Sequence, residues 1–285
     1  MDYSAMFLGF GKGFAFVTIS ILIIWIAKLM ADRRTTEFDD DIHIDDGNLA
    51  VGLRRAGLYL GIAIALSSTI GGVSKGFFFD LLTLCFDGAV ILAALFFCRY
   101  INDIIMLGHI DNDKECMNGN AAVGIVEACM YIATGFILNG SLNGLSNSFM
   151  ESILSTLVFF ILGQFALLLF GYLYEVITPF DVRNEIKNNN LAAGLGLGGI
   201  LIALGIILKG SIEGPFTTWS NDIISFGMYA IYGIIMLLIF RIIIDKILLP
   251  TTKLAVEITE DKNVAALLVA ESAIIVVAII IAVSM

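Results

Sequence analysis

The chain has 285 residues, of which 59% are hydrophobic and only 15% are charged. A mean hydropathy of +0.94 excludes a soluble globular domain. The net charge of −10 is best explained by acidic loops between membrane helices, because Asp and Glu contribute little to membrane orientation.

Eight apolar runs are long enough to cross a bilayer, whose hydrocarbon core of about 30 Å needs roughly 20 helical residues. Backbone groups in lipid must be hydrogen-bonded internally, so we expect each run to be a helix. In chain order the predicted spans cover about 6–31, 49–70, 77–107, 121–139, 150–176, 191–209, 222–249 and 264–285. The sequence predicts an all-α polytopic membrane protein that lies in a lipid bilayer.

Four short junctions divide these spans into repeats. Each junction is an asparagine that opens an apolar run, and Asn48, Asn120, Asn190 and Asn263 lie 72, 70 and 73 residues apart. This period indicates one unit of long helix, polar loop and shorter helix, copied four times. Two crossings per unit make the four hairpins parallel. We expect each asparagine to cap its short helix; alternatively, the four side chains ring an opening and contact a ligand.

The repeats also pair at a second level. The spacing from Asn48 to Asn190 is 142 residues and that from Asn120 to Asn263 is 143. An Arg and an Asp four residues apart occur in the second unit and again in the fourth, at Arg99 and Asp103 and at Arg241 and Asp245. We expect local ion pairs at helix ends there, and two four-helix domains covering residues 1–143 and 144–285.

Two stretches of the second half carry a family resemblance. The segment from Ile177 to Leu195 and the run from Gly198 to Gly205 resemble the YjfL-type bacterial inner-membrane family, which is catalogued as domain of unknown function 350. A typical member is similar to residues 144–285 alone, so the resemblance implies a tandem duplication. It also implies an inner-membrane location, and it implies no reaction, ligand or functional residue.

The first half carries the resemblance in shorter pieces. They are Asp46-Gly-Asn-Leu-Ala50 and Gly57-Leu-Tyr-Leu-Gly61, and the Thr-Pro pair that follows Ile177 in the second half has no counterpart there.

The distribution of basic residues predicts the orientation. Thirteen Lys and Arg lie in or beside the loops that precede the asparagines, whereas only Lys12, Lys75 and Lys209 lie at the opposite face. The positive-inside rule therefore places the junction loops in the cytoplasm and both termini outside.

Three ionisable residues share one depth in the predicted helices. Arg55 and Glu127 lie seven residues after their asparagines and Glu271 lies eight after its own, which is about 10–12 Å along the helix. Such groups are costly in a membrane unless they are paired or hydrated. One interpretation is a structural ion pair between Arg55 and either glutamate, and the other is a cation or proton site in a water-filled vestibule.

Asp87 and the acidic segment 37–46 each allow two interpretations, and Gln164 allows one. Asp87 lies deep in the third span and is either a second proton or ion site or a partner of Lys12 or Lys75. Gln164 is expected to join helices by hydrogen bonds. The acidic segment 37–46 is either a solvated loop or a binding site for a divalent cation or a basic partner.

The sequence contains no pattern typical of an enzyme. The G-x-G-x-x-G match at 194–199 lies inside an apolar helix without a preceding strand, so it does not indicate a dinucleotide site. We expect no catalytic residue, no cofactor, no metal site and no nucleic-acid partner.

Two functions from different classes remain. The first is a small-cation or proton-coupled transporter or channel. The alternative is a membrane scaffold of an envelope-stress system that binds a soluble cytoplasmic partner through acidic loops, and a lipid transporter has weaker support. The sequence leaves open a homo-oligomer.

Overall fold

The computed structural model describes residues 3–34, 39–108, 110–143, 149–214, 216–248 and 253–285. All regular structure in these ranges is helical, and eight of the helices are long and apolar enough to cross a membrane, which confirms the predicted class. In chain order the helices are α1 (Tyr3–Arg34), α2 (Asp40–Asp45), α3 (Leu49–Gly71), α4 (Phe77–Ile105), α5 (Asn112–Met117), α6 (Ala121–Leu142), α7 (Phe149–Ile177), α8 (Val182–Lys187), α9 (Leu191–Ile212), α10 (Trp219–Leu248), α11 (Leu254–Thr259) and α12 (Val264–Ser284).

Each unit thus contains three helices. A long helix leads into a helix of six residues (α2, α5, α8 or α11), which is followed by the shorter membrane helix. The six-residue helices correct the expectation of plain polar loops. They form because aspartates at the first three N-caps accept hydrogen bonds from backbone N–H groups, for example Asp181 from Asn184 at 2.8 Å.

The four shorter membrane helices form a row in the order α3, α6, α9, α12. The long helices lie along it, with α4 against α3 and α6, α7 against α6 and α9, and α10 against α9 and α12. In the described residues no packing of similar extent joins α3 to α12, so the row is open. Four parallel units therefore form a linear array in which α6 and α9 are the most deeply buried helices.

Small residues let these helices approach at backbone distance. A Cβ placed on Gly124 of α6 would lie 2.5 Å from the carbonyl oxygen of Ala50 in α3. A Cβ on Gly205 of α9 would lie 2.7 Å from Cα of Ala133 in α6. Close approach maximises dispersion contacts between helices, which drive association where lipid removes the hydrophobic effect.

Asn48 shows what the repeated asparagine does. Its side-chain oxygen accepts hydrogen bonds from the N–H groups of Ala50 and Val51, at 3.0 and 3.2 Å, so it caps α3. Its amide nitrogen donates to the carbonyl oxygens of Cys116 and Met117 in the next unit, at 3.0 and 3.1 Å. Only a side chain with both an acceptor and a donor can make both contacts.

The same double contact recurs along the row. Asn120 caps α6 and donates to the carbonyl of Ile186 at 3.1 Å, and Asn190 caps α9 and donates to that of Ile258 at 2.7 Å. Asn263 caps α12. The junctions therefore lie side by side at one end of the bundle, here called the junction end. The amides of Asn48, Asn120 and Asn190 bind backbone carbonyls of the next unit, and that of Asn263 binds Glu257, so the four side chains do not ring an opening.

We predict that Gly124→Ala lowers the free energy of unfolding by about 2–3 kcal/mol, because the new methyl group overlaps the backbone of α3. Chemical unfolding in detergent, followed by circular dichroism, measures the change. Gly227→Ala is the matched control, because a Cβ there meets nothing within 4 Å, and it should leave stability unchanged or raise it by about 0.5–1 kcal/mol. Equal effects of the two substitutions would contradict the packing argument.

Candidate functional site

Arg54 is the first centre of a buried ion-pair network at the junction end. Its side chain is 4% exposed. It pairs with Asp40 of α2 at 3.0 Å and Asp113 of α5 at 2.7 Å, and its Nε lies 3.7 Å from Glu127 of α6. Removing so many charges from water is costly unless each has a partner. Arg54 therefore connects α3 to three other helices.

Arg99 of α4 approaches the same carboxylates from the other side. Its guanidinium lies 2.5 Å from Asp113, 3.5 Å from Glu127 and 3.6 Å from Asp103. Arg34 of α1 reaches Asp103 at 3.0 Å. The predicted local pair of Arg99 with Asp103 thus exists, but it belongs to a larger buried network and not to a solvated helix end.

Arg55 meets this network through Asp40 and not through Glu127. It pairs with Asp32 of α1 and with Asp40, both at 2.6 Å. The expected ion pair of Arg55 with Glu127 or Glu271 is therefore wrong, and the three residues do not form one charged layer. Equal depth along a helix does not fix direction around it, and consecutive residues point about 100° apart.

Glu271 forms a second, simpler centre in the other half. It is 4% exposed and pairs with Arg241 of α10 at 3.2 Å. The guanidinium of Arg241 lies 5.5 Å from the ring centroid of Tyr174. Gly199 of α9 leaves room for the glutamate, because a Cβ there would lie 2.5 Å from that of Glu271. The sequence predicted a local pair with Asp245, whereas Arg241 pairs across to α12.

The two centres share one arrangement. A glutamate of a short helix, Glu127 or Glu271, faces an arginine of the preceding long helix, Arg99 or Arg241. Each glutamate has one buried oxygen without a hydrogen-bond partner in the described structure, Oε1 of Glu127 and Oε2 of Glu271. The first centre has Arg54 in addition, and the second has only one arginine.

A small cavity borders Glu127. It has room for about one water molecule. It is lined by Leu95, Arg99, Asn102, Asp103, Glu127, Met130, Tyr131 and Thr134. Gln164 of α7 donates to Asn102 at 3.1 Å and accepts from Thr134 at 3.2 Å. Gln164 therefore joins helices as expected, and it extends a line of polar groups from Glu127 into the bundle.

Asp87 lies apart from both centres. It accepts a hydrogen bond from Thr69 of α3 at 2.7 Å. The expected partners were Lys12 and Lys75, but Lys12 pairs with Asp80 at 2.6 Å. The interpretation of Asp87 as a lysine partner is therefore wrong, because Asp80, nearer the helix end, takes Lys12, and Lys75 Nζ lies 5.6 Å from the ring centroid of Phe79.

Outside the membrane helices, two groups of the network have shifted pKa values. Burial disfavours the charge of Asp113, but Arg99 and Arg54 outweigh it and hold the pKa of this carboxyl below its usual value. Burial and the charge of Glu127 raise the pKa of the Cys116 thiol well above its usual value. The protonated thiol donates toward Glu127, with Sγ 3.8 Å from Oε2.

The sequence indicates Asp40 only as part of the acidic segment 37–46, and it does not predict that Asp40 or Asp113 pairs with buried arginines. Asp40 lies eight residues before Asn48, and Asp113 lies seven before Asn120. The helices α2 and α5 fold back so that these two acids meet arginines in the membrane helices. In the sequence, these positions are marked by an acid that recurs seven or eight residues before the junction asparagine in the first two units. In the described residues no group of His, Cys, Asp or Glu is arranged to hold a metal ion.

These features define a polytopic α-helical membrane protein built of four parallel hairpin units, with one buried glutamate–arginine centre in each half. Residues 5–142 and 148–285 each match the family described as Domain of Unknown Function (DUF350), so the chain belongs to this family. The expected tandem duplication is confirmed. A UPF0719 transmembrane protein of Aquifex aeolicus (strain VF5) is 28% identical over 222 residues, which cover 78% of this chain and 80% of the relative. No solved structure matches the chain.

We predict that Asp40→Asn lowers the free energy of unfolding by about 3 kcal/mol, because it leaves the charges of two buried arginines under-compensated. Unfolding by denaturant in detergent measures the loss. Asp45→Asn lies on the same six-residue helix at an exposed position and should cost almost nothing. If both variants unfold like the wild type, Asp40 does not stabilise the network.

The lowered pKa of Asp113 leads us to predict that the protein loses stability at low pH. Because its pKa is lowered in the folded protein, its contribution is complete above the unfolded value of about 3.9 and is lost as pH falls through the lower folded value. The unfolding temperature should therefore decline below about pH 4. Asp113→Asn should reduce stability at pH 7 and flatten this decline. An unchanged acid limit in the variant would contradict the assignment.

Proposed function

We propose that the protein is a proton-coupled transporter or channel for a small cation, and that Glu127 and Glu271 are its protonatable sites. The observation that carries the proposal is a pair of buried glutamate oxygens, one in each half, that accept no hydrogen bond in the described structure. A proton or a small cation would satisfy them.

Burial destabilises the ionised form of each glutamate. A buried oxygen without a donor loses the hydrogen bonds that water would supply, at a cost of roughly 1–3 kcal/mol or more for a charged group. The neighbouring arginine compensates the charge, at 3.5 Å in the first centre and 3.2 Å in the second. Protonation would neutralise the carboxylate and weaken its hold on the arginine. Proton binding would thus be coupled to a change between a long helix and a short one.

Polar groups beyond Glu127 support a path for water and protons. Thr134 lies seven residues further along α6, which is about 10 Å deeper in the bundle. It borders the same cavity as Glu127 and bonds to Gln164. Intramembrane polar residues of this kind are typical of ion and proton pathways.

The proposal includes the orientation of the chain in the membrane. We place the chain in the bacterial inner membrane with the junction end in the cytoplasm and both termini outside. The thirteen basic residues near the junction end against three at the other support this placement. Glu127 and Glu271 would then lie about two helical turns inside the cytoplasmic boundary.

The scaffold alternative has less support. Its binding surface would be the acidic segment before α3, but Asp40 is buried against arginines of α3 and Asp41 pairs with Lys28. Asp45 and Asp46 remain exposed. Asp39 and Asp41 are exposed as well, but Asp39 caps α2, so fewer acids are available to a partner than the sequence suggests.

Purified protein in liposomes tests the transporter proposal. An imposed pH or cation gradient should dissipate faster than in empty liposomes, as measured with a trapped pH dye and with Na⁺ and K⁺ indicators. Glu271→Gln and Glu127→Gln should each lower the flux to about a tenth or less, because a glutamine cannot carry the proton.

Glu260→Gln is the matched control, because Glu260 is exposed outside the membrane helices, and it should keep wild-type flux. Melting curves establish that the variants are folded. Wild-type flux equal to that of empty liposomes for H⁺, Na⁺ and K⁺ would refute the proposal.

A further inference from the structure

The contacts within the row follow one numbering rule, counted from each junction asparagine. Position +9 of one short helix meets position +8 of the next. The pairs are Gly57 with Ala128, Cys129 with Gly198, and Gly199 with Glu271. A Cβ added to these glycines would lie 2.2 to 2.6 Å from the partner residue. The three interfaces are therefore copies of one another.

Two more levels obey the same rule. Position +2 meets +4, as Ala50 meets Gly124 and Ala122 meets Gly194. Position +13 meets +15, with Gly61 against Gly135 and Ala133 against Gly205. Each short helix thus has a leading face, formed by positions +2, +9 and +13, and a trailing face, formed by +4, +8 and +15.

The trailing face of α3 has no short helix against it. Its members are Gly52, Ala56 and Ala63. A Cβ on Gly52 would meet nothing within 4 Å, although one on Gly124, at the same position of α6, would lie 2.5 Å from α3. Ala56 and Ala63 are exposed. The first helix of the row therefore has the same small-residue face as α6 and α9, and this face is uncovered.

The leading face of α12 is uncovered at the other end. Its members are Ala265, Ser272 and Val276, and all three are exposed. The equivalent Ala50 and Ala122 are 0% exposed within the row. The two ends of the row are thus complementary, since one has a leading face and the other a trailing face.

The junction contacts are unmatched at the same two ends. The amides of Asn120 and Asn190 each donate to a glutamate of their own unit and to a carbonyl of the next unit. Asn263 donates to Glu257 at 2.8 Å, and in the described residues no further unit supplies its second acceptor. Ile44 of α2 lies four residues before Asn48, as the acceptors Cys116 and Ile186 lie four before their asparagines, and among the described residues no asparagine amide reaches its carbonyl.

The packing of the long helices also shows that the first end of the row is incomplete. Each of α4, α7 and α10 lies against two short helices, whereas α1 packs against α3 and α4. The site of a preceding short helix, beside α1 and α3, is open in the described structure.

We propose that a second copy of this chain occupies this site, with the leading face of its α12 on the trailing face of α3. The repeat interface inside the chain is the template for the interface between chains. Such contacts join unlike faces, so they build a closed ring or a filament and not a two-fold dimer.

Cysteine crosslinking in native membranes tests the register. The background is Cys85→Ser, because Cys85 is exposed and the other three cysteines are buried. Ala56→Cys combined with Ser272→Cys places the pair at the +8 and +9 positions. Oxidation should give a series of products at multiples of 30.9 kDa. Each single variant should give none, because a head-to-tail contact brings unlike positions together.

Three results would overturn the proposal: a monomeric double variant, crosslinking of either single variant alone, or a bond formed within one chain. Native mass spectrometry from nanodiscs is the second measurement. The wild type should contain several chains and Ala56→Trp a single folded chain, whereas Ala89→Trp, at an exposed position of α4, should keep the wild-type mass. A monomeric wild type would also overturn the proposal.

Discussion

Backbone contact between neighbouring short helices is the constraint on which the rest of the structure depends. The helices approach so closely that positions such as Gly57 and Gly135 have no room for a side chain. Because the residues at these positions are small, the two backbones can touch, and this packing is a main source of attraction between helices in lipid. Both glutamate–arginine pairs with Arg99 and Arg241 lie where a short helix meets a long one.

The two halves use this frame differently. In the first, α2 and α5 bring carboxylates to Arg54 and Arg99, and with Arg34 of α1 the ion pairs connect the six helices α1 to α6. Buried pairs of this kind specify geometry more than they add stability. In the second, Leu197 and Gly196 occupy the positions of the two arginines of α3, and Glu271 has one arginine. The first half is thus rigidly cross-linked, and the second has a glutamate whose charge depends on one partner.

The contacts between units have a direction. Each asparagine from Asn48 to Asn190 donates to the unit that follows it, and each leading face packs on the next trailing face. A directional series has two unlike ends. This property distinguishes the chain from a closed bundle, in which the last repeat would meet the first. Because the contacts between units are alike, the unlike ends of the row also predict which faces would meet between two copies of the chain.

Local patterns in the sequence determined the eight spans, the fourfold repeat, the helix caps and the depth of Glu127 and Glu271. Hydropathy, spacing and capping depend on residues close in the chain, so one sequence is enough to read them. Only the tertiary structure decided that the units form a row, that Arg54 and not Arg55 meets Glu127, and that Asp40 is buried. These facts depend on direction around each helix and on the neighbour found there. Parallel repeats fit a row or a ring equally well until the packing faces are known.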